Sequence, residues 1–179
     1  MDLIPSFKID HTRLMPGIYI SRQDTISSSS DRQSSTSLIT TYDIRMKRPN
    51  VEPAIHPNAI HTIEHVIATY LRNDLQWKDR IVYWGPMGCL TGNYLIVKGR
   101  PTPQEIYPLV LRAFEYLRDY DGEVPGATVV NCGNCILHDL QMAKYEAAKF
   151  VETLKKRPSF DYPMMNRIKT DDGAVFFDS

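Results

Sequence analysis

Residues 59–73, with the sequence AIHTIEHVIATYLRN, decide both the fold and the chemistry expected of this chain. Apolar residues recur in this stretch at helical spacing, and the pattern predicts an amphipathic helix whose apolar stripe faces a core. The stripe consists of Ile60, Ile63, Val66, Ile67, Tyr70 and Leu71. We expect Asn58 to be the N-cap, because the proline before it cannot extend the helix backward.

Two histidines flank this stripe, with a glutamate between them. His61 and His65 are one helical turn apart, so both imidazoles can reach a single divalent ion. Glu64 borders that position without being needed as a ligand, which is where a general acid or base would stand. The pair would supply two-thirds of a metal site. The competing interpretation is an ordinary surface helix, on which histidines at this spacing also occur.

Composition limits the classes of protein to which the chain can belong. Its 179 residues suffice for one buried core, and we treat residues 1–179 as a single domain. The 21 basic and 21 acidic residues cancel, so no global field would recruit nucleic acid or an anionic membrane. No apolar run approaches the roughly 18 residues of a membrane span, and the N-terminus does not resemble a signal peptide. We therefore expect a cytoplasmic protein whose three cysteines are ligands or reactive thiols rather than a disulfide framework.

The remaining pattern predicts an α+β fold, a two-layer sandwich in which helices cover an antiparallel or mixed sheet. Strands are expected at residues 38–46, 80–84, 92–97 and 127–130, and further helices at 103–120 and from the cap Asp139 to about 154. The serine-rich residues 21–37 contain few apolar side chains and are predicted to form a mobile loop. The tail, residues 158–179, shows no clear period and receives no assignment.

A Cys-Gly-Asn-Cys motif follows the predicted strand at 127–130. Cys132 and Cys135 could be a redox pair, could close a zinc site with His61 and His65, or could supply a single ligand. Four protein ligands saturate tetrahedral zinc, whereas three leave a position for water or substrate. The motif alone leaves all three interpretations open.

The third cysteine lies in a tight turn, residues 85–92, with the sequence GPMGCLTG. Three glycines and a proline force the chain to reverse there at the end of a strand and to expose the thiol of Cys89. A neighbouring cation or metal would lower the pKa of such a thiol from about 8.5, giving a thiolate able to move protons near neutral pH. The competing interpretation is an inert buried cysteine.

Several motifs occur together, in a fixed order, from about residue 6 to residue 154. They are His61-x-x-Glu64-His65, Pro86-Met87-Gly88-Cys89-x-Thr91-Gly92, and Cys132-Gly133 followed by His138. Ser6-Phe7-x-x-Asp10-His11, Asp43-Ile44-Arg45 with Pro49-Asn50, and Leu137-His138-Asp139-Leu140 with Ala143-Lys144 extend the match. In this combination the chain resembles the S-ribosylhomocysteine lyases, the LuxS family.

The resemblance implies a carbon–sulfur lyase that cleaves S-ribosylhomocysteine to homocysteine and 4,5-dihydroxy-2,3-pentanedione, the precursor of the quorum-sensing signal autoinducer-2. It also implies a homodimer with the site near the interface, and one divalent metal per subunit. Ferrous iron is the expected ion, with zinc or cobalt as possible replacements. Carbonyl migration along the sugar followed by β-elimination needs a Lewis acid and groups of tuned pKa, which agrees with these motifs.

The resemblance also implies a role for particular residues. The metal ligands would be His61, His65 and Cys132, so that Cys135 is not a ligand. Cys89 and Glu64 would carry protons in the catalytic steps. The substrate contacts would be Ser6, His11 and Arg45, with the arginine holding the homocysteine carboxylate.

The chain departs from the family pattern in a few places. Tyr83-Trp84-Gly85 replaces the Asp-Ile-Ser that is common before the Cys89 turn, which puts recognition of the substrate amino group in doubt. The cysteine that the family often has after the strand of Arg45 is also absent, and Met46-Lys47-Arg48 stands there instead. None of these changes removes a proposed ligand or proton carrier.

Two other functions compete with the lyase. A metallopeptidase with an inverted zinc motif also uses His-x-x-Glu-His, and Glu146 could be its acidic third ligand. A closed, zinc-stapled binding module would instead use both Cys132 and Cys135 with the two histidines. Neither explains the Cys89 turn.

Overall fold

A computed structural model gives the backbone of residues 5–30, 33–164, 167–169 and 175–177, and the side chains of residues 7–27 and 36–164. A short 3-10 turn, Pro5–Lys8, precedes the first strand. The strands are β1 (Gly17–Ser30), β2 (Gln33–Arg45), β3 (Ile81–Pro86) and β4 (Gly92–Lys98). They form one sheet in the order β1-β2-β4-β3, in which every neighbouring pair is antiparallel. In the tail, β5 (Arg167–Lys169) pairs with β6 (Val175–Phe177).

The described residues also form three α-helices: α1 (Pro57–Asn73), α2 (Pro103–Asp119) and α3 (Leu140–Lys156). A capping box starts α2, because Thr102 accepts from the backbone N–H of Glu105, whose carboxylate accepts from Thr102 in return. Asp139 caps α3 as expected, with Oδ1 accepting from the N–H of Met142 at 2.9 Å. Helices packed on an antiparallel sheet confirm the predicted α+β class.

The helix that carries the histidines starts earlier than predicted. His56, not Asn58, is the N-cap of α1, and Pro57 is the first helical residue. Proline is favoured at this position because its missing N–H would have had no partner inside the helix. The predicted stripe of α1 is buried, except that Tyr70 is only partly so.

The predicted strand at residues 127–130 is wrong. The structure has turns there, and Val129 and Val130 are 85% and 88% exposed. The β-branched run has strand propensity, but none of the described strands pairs with it to supply the ladder hydrogen bonds that a strand requires. The segment instead forms a turn in which the N–H of Cys132 donates to the carbonyl of Thr128 at 2.9 Å.

In the serine-rich segment, predicted as a loop, residues 21–30 belong to β1 and residues 33–37 to β2. Its strands keep one register from Thr25↔Leu38 to Ser30↔Gln33. Ladder hydrogen bonds join backbone groups, so the low apolar content that suggested a loop does not prevent pairing once the inner strands have set the register.

The two faces of the sheet have different coverings. Successive residues of a strand point to opposite faces. Tyr42 and Ile44 of β2 join the main core with the helices, and we call this side the helix face. Asp43 and Arg45 therefore point to the other side, the second face.

The second face is covered by a smaller buried cluster. Ile9, Leu14 and Tyr19 form it, and Tyr162 from the segment after α3 packs against them. Chain from both ends of the sequence thus closes over Asp43 and Arg45. None of the described helices is long and apolar enough to cross a membrane.

Candidate metal centre and thiol pocket

Helix α1 brings the two predicted ligand histidines together on the edge of its buried stripe. The ring centroids of His61 and His65 lie 4.7 Å apart, with the rings edge to face, and both side chains are partly buried. Each Nδ1 atom lies 2.8 Å from a backbone carbonyl, that of Leu137 for His61 and that of Pro125 for His65. A carbonyl can only accept, so each Nδ1 carries the proton and each Nε2 keeps its lone pair for a ligand.

Cys132 supplies a sulfur beside these nitrogens. Its Sγ lies 3.5 Å from Nε2 of His61 and accepts a hydrogen bond from the N–H of Asn134 at 3.4 Å. The ligand atoms of His61, His65, Cys132 and His138 all lie within 4.8 Å of one another. Metal–nitrogen and metal–sulfur bonds of about 2.0–2.3 Å suit such spacings, so the donor set fits a divalent ion.

The fourth member of this cluster, His138, is a site residue that the sequence reasoning did not assign. Its ring stacks on His61 with centroids 4.2 Å apart, and its Nδ1 lies 3.2 Å from Oγ1 of Thr62. That hydroxyl already donates to the carbonyl of Asn58 and accepts from the N–H of Asp139. Since the hydroxyl proton is in use, Nδ1 of His138 is the donor, and its Nε2 keeps a lone pair as well.

Nε2 of His138 is buried and has no hydrogen-bond partner among the described residues. Burial lowers the pKa of His138, and the nearby imidazoles of His61 and His65 lower it further, so the ring is neutral at pH 7. The sequence held one signal for it, the position of His138 between Cys132 and the cap of α3. In the sequence, that signal has meaning only as part of the family resemblance.

Glu64 and Cys135 are close to the cluster in sequence but are not members of it. Glu64 is partly buried on α1, and its carboxylate forms no hydrogen bond or ion pair within the described part of the chain. Cys135 is a free, partly buried thiol. The cluster therefore has one sulfur rather than the two that a closed site with Cys135 would need.

The third cysteine sits at the other predicted centre, in the turn between β3 and β4. Cys89 is exposed, and the turn closes through a hydrogen bond from the N–H of Leu90 to the carbonyl of Met87 at 2.9 Å. Its Sγ lies 3.1 Å from Oγ1 of Thr91 and 3.6 Å from Nη1 of Arg45. Burial raises the pKa of Cys89, but hydrogen bonds from Thr91 and the charge and hydrogen bond of Arg45 outweigh it, leaving the pKa below its ordinary value.

The other groups of Arg45 are held by an acid on the same strand. Its Nε donates to Oδ1 of Asp43 at 3.1 Å and its Nη2 to Oδ2 at 2.5 Å, and both side chains are buried. Nη1 donates to Thr91 at 2.6 Å and faces the thiol. Most of the guanidinium fork is therefore already bound, so the predicted binding of a substrate carboxylate by Arg45 depends on its remaining N–H groups.

Two adjoining cavities, of about 300 and 290 Å³, open at this turn. His11, Arg45 and Cys89 line both of them. His11 donates from Nδ1 to the carbonyl of Ile9 at 2.9 Å, since that oxygen can only accept. The structure thus brings these three predicted residues together in what we call the thiol pocket. The side chain of Ser6 lies outside the described residues.

The departure from the family pattern before the turn has a local explanation. Trp84 is buried on the helix face and meets the ring of Phe114 edge to face. The ring of Tyr83 folds over position 85, where any Cβ would collide with the tyrosine hydroxyl. Tyr83 in this conformation therefore requires Gly85.

The metal cluster and the thiol pocket are separate within the chain. No member of the four-residue cluster lines either cavity. Arg45 lies on the second face of the sheet, whereas α1 packs on the helix face with Tyr42 and Ile44. The sheet thus stands between Arg45 and the helix that carries His61 and His65.

Comparison with known proteins identifies the family of the chain. Residues 4–160 match the family model described as S-ribosylhomocysteinase (LuxS). A protein of Phocaeicola vulgatus named S-ribosylhomocysteine lyase is 52% identical over 161 residues, covering 90% of this chain and 95% of its own length. Proteins of the same name from Porphyromonas gingivalis and Borreliella burgdorferi are 53% and 46% identical, covering 84% and 91% of this chain and 90% and 100% of their own lengths. The chain belongs to the S-ribosylhomocysteinase (LuxS) family.

Proposed function

We propose that this protein is a metal-dependent S-ribosylhomocysteine lyase that forms homocysteine and 4,5-dihydroxy-2,3-pentanedione, the precursor of autoinducer-2. Family membership supports this reaction. The observation that carries it within the structure is the cluster of one thiol and imidazoles whose Nδ1 atoms are all engaged, which leaves the Nε2 lone pairs for an ion.

The proposed ligands are His61, His65 and Cys132, with one divalent ion per subunit. Mixed imidazole and thiolate donors suit iron, cobalt and zinc, and we expect ferrous iron as the native ion. When bound, such an ion would act as a Lewis acid that stabilises negative charge developing on the sugar oxygens. Neutral His138, with its unpartnered Nε2, adjoins this group.

Proton transfer is assigned to Cys89 and Glu64. A C–S bond breaks by β-elimination only when a carbonyl stands next to the carbon that loses its proton, so the sugar carbonyl must first move from C1 to C3. Cys89, with its lowered pKa, would take and return the protons of these isomerisations. Glu64 would remove the C4 proton as homocysteine leaves from C5 with its bonding electrons, which then take up a proton.

Substrate binding is assigned to Ser6, His11 and Arg45. His11 and Arg45 line the thiol pocket, so a homocysteine end placed there would bring the sugar toward Cys89. Charge-assisted hydrogen bonds from the remaining N–H groups of Arg45 would hold a carboxylate. The same guanidinium would stabilise the thiolate form of Cys89.

We further propose that the site is completed between two copies of the chain. A single subunit keeps the metal cluster and the thiol pocket apart, whereas the reaction needs both at one sugar. The turn that carries Cys132 exposes Val129, Val130 and Ile136, an apolar surface of the kind that subunit interfaces cover. A homodimer with its site near the interface would bring the two centres together, and we expect it in the cytoplasm, where thiols stay reduced.

The competing functions have less support. Glu146, the acidic ligand that a metallopeptidase would need, forms a buried ion pair with Lys47 at 2.5 Å and is not in the metal cluster. Cys135, which a closed zinc module would need, is also outside it. The cobalt-substituted protein tests this choice, because one, two or no thiolate ligands give different charge-transfer bands.

The direct test is an anaerobic assay of the iron-loaded protein with S-ribosylhomocysteine, measuring free homocysteine with a thiol reagent. We expect equal amounts of homocysteine and the dihydroxypentanedione, with turnover lost after metal removal and restored by Fe(II). A metal-loaded, folded protein that releases no homocysteine would contradict the proposal.

A further inference from the structure

The chain after α3 returns to the second face of the sheet and lies against the thiol pocket. Residues 159–164, which we call the C-terminal strap, are held by backbone hydrogen bonds. The N–H of Ile18 donates to the carbonyl of Ser159 at 2.9 Å, and the N–H of Asp10 donates to the carbonyl of Pro163 at 2.8 Å. The family match ends at residue 160, so most of this strap lies beyond it.

Tyr162 is the residue of the strap that reaches the pocket. Its hydroxyl donates to Oδ2 of Asp43 at 2.8 Å, and its ring stacks on Tyr19 with centroids 4.7 Å apart. It also lines the 290 Å³ cavity together with Cys89 and Arg45. Burial raises the pKa of Tyr162, and the charge of Asp43 raises it further, so the hydroxyl remains a donor throughout the neutral range.

A continuous series of contacts joins Tyr162 to the thiol. Asp43 accepts from Tyr162 at Oδ2 and from the Arg45 fork at both oxygens. With Nε and Nη2 fixed in this way, Nη1 of Arg45 is left to face Thr91 and Cys89. The plane of the buried carboxylate therefore sets where the guanidinium points.

We propose that Tyr162 is a positioning residue for the lyase reaction, acting through Asp43 and Arg45 to stabilise the thiolate of Cys89, and that its ring forms part of the substrate pocket. This inference rests on the proposed role of Cys89 as a proton carrier. Without the tyrosine hydroxyl, a buried carboxylate oxygen has one donor fewer. Arg45 then interacts more strongly with Asp43 and stabilises the thiolate of Cys89 less.

Other polar and charged side chains also lie around the thiol of Cys89 and could influence its pKa. Thr91, His11 and Glu52 share the 300 Å³ cavity with Cys89, and Asp43 and Tyr94 line the adjoining one. Among the described side chains, Arg45 is the cation with a direct contact to the sulfur. Replacing Tyr162 by phenylalanine leaves all of these side chains in place.

The experiment compares Tyr162→Phe with the unmodified chain, both metal-loaded. Alkylation of Cys89 by iodoacetamide is followed across pH by mass spectrometry, which separates Cys89 from the other two thiols. We expect the midpoint of the curve of Cys89 alkylation rate against pH to rise by about 0.5–1 pH unit in Tyr162→Phe. This is roughly a three- to tenfold loss of thiolate at pH values well below the midpoint. The kcat for homocysteine release should fall with it. An unchanged midpoint would overturn the proposal.

Two further variants make the result specific. Tyr107→Phe is the matched control, because its hydroxyl donates at 3.3 Å to the carbonyl of Leu154, away from the pocket, and its midpoint should not move. Asp43→Asn removes the negative charge that competes with the thiolate for Arg45, so its midpoint should fall, and adding Tyr162→Phe to it should change little more, because the effect passes through Asp43. Additive shifts would rule out this route.

Alkylation needs no substrate, so the inference and the proposed function can fail separately. A shifted midpoint in a protein that releases no homocysteine would leave the contact series in place and remove the lyase assignment. An active lyase whose midpoint ignores Tyr162→Phe would keep the function and remove the role of the strap.

Discussion

The metal cluster and the thiol pocket are preorganised in different ways. Backbone carbonyls of Pro125 and Leu137 orient His65 and His61, so that geometry depends on the path of the loop between α2 and α3. The thiol pocket instead depends on side-chain charge, with the Asp43–Arg45 pair setting the surroundings of Cys89. Side-chain substitutions should therefore tune the thiol pocket gradually, whereas loss of a ligand should abolish the metal centre.

The two centres also lie on opposite sides of the sheet. One lies on the helix side of the sheet and the other on its second face, whereas the proposed reaction needs the metal and Cys89 at one sugar. This separation makes the two centres independently testable.

The largest effect is expected from Cys132→Ala. Removing the one thiolate leaves two or three neutral imidazoles, which hold a divalent ion much less tightly than a set that includes an anionic sulfur. Both bound metal, measured by atomic emission, and homocysteine release should be lost. An active, metal-loaded Cys132→Ala protein would remove this residue from the ligand set.

Cys89→Ala should separate the two centres. Loss of a proton carrier costs typically about 10²–10⁴-fold in rate, and here the metal ligands are untouched. We expect homocysteine release to fall by that order while metal content stays near that of the unmodified chain. Normal turnover would show that Cys89 moves no proton in the reaction.

The sequence predicted the histidine pair on α1 better than its surroundings. His61 and His65 could be expected to lie side by side because they flank a stripe whose period is local and unambiguous. His138 was not assigned, because its place beside Thr62 arises from a contact between α1 and the segment just before α3, 76 residues away. Long-range contacts of this kind leave no period in the sequence.

The misassigned segments have the same explanation. Residues 127–130 have strand propensity, but none of the strands in the described part of the chain pairs with them. The serine-rich parts of β1 and β2 have little propensity, but each has a partner in register. Pairing depends on what lies across the ladder rather than on a segment's own composition. The role proposed for Tyr162 could not be predicted from the sequence either. The tail shows no pattern, and the proposed role depends on a contact with Asp43, 119 residues earlier.

The separation predicts complementation between inactive variants. If each site takes its metal cluster from one subunit and Cys89 from the other, a mixed dimer of Cys89→Ala and Cys132→Ala has one intact site. Random mixing gives half mixed dimers with one of two sites intact, so roughly a quarter of full activity should return. The two proteins are unfolded together, refolded with iron and assayed, each variant alone being the control.

A mixture that stays inactive, although mass spectrometry of the intact complexes shows mixed dimers, would contradict the shared site. In that case both centres would have to serve the sugar from within one subunit.

The smallest effect is expected from Cys135→Ser. This thiol is three residues from Cys132 but outside the cluster, whose fourth member is His138. Metal content should stay near one per subunit and turnover should be close to that of the unmodified chain, while the charge-transfer bands of the cobalt protein should keep the intensity of a single thiolate. A marked loss of metal or of band intensity would mean that Cys135 coordinates the ion. The metal centre would then be a closed structural site, with no position left for the substrate.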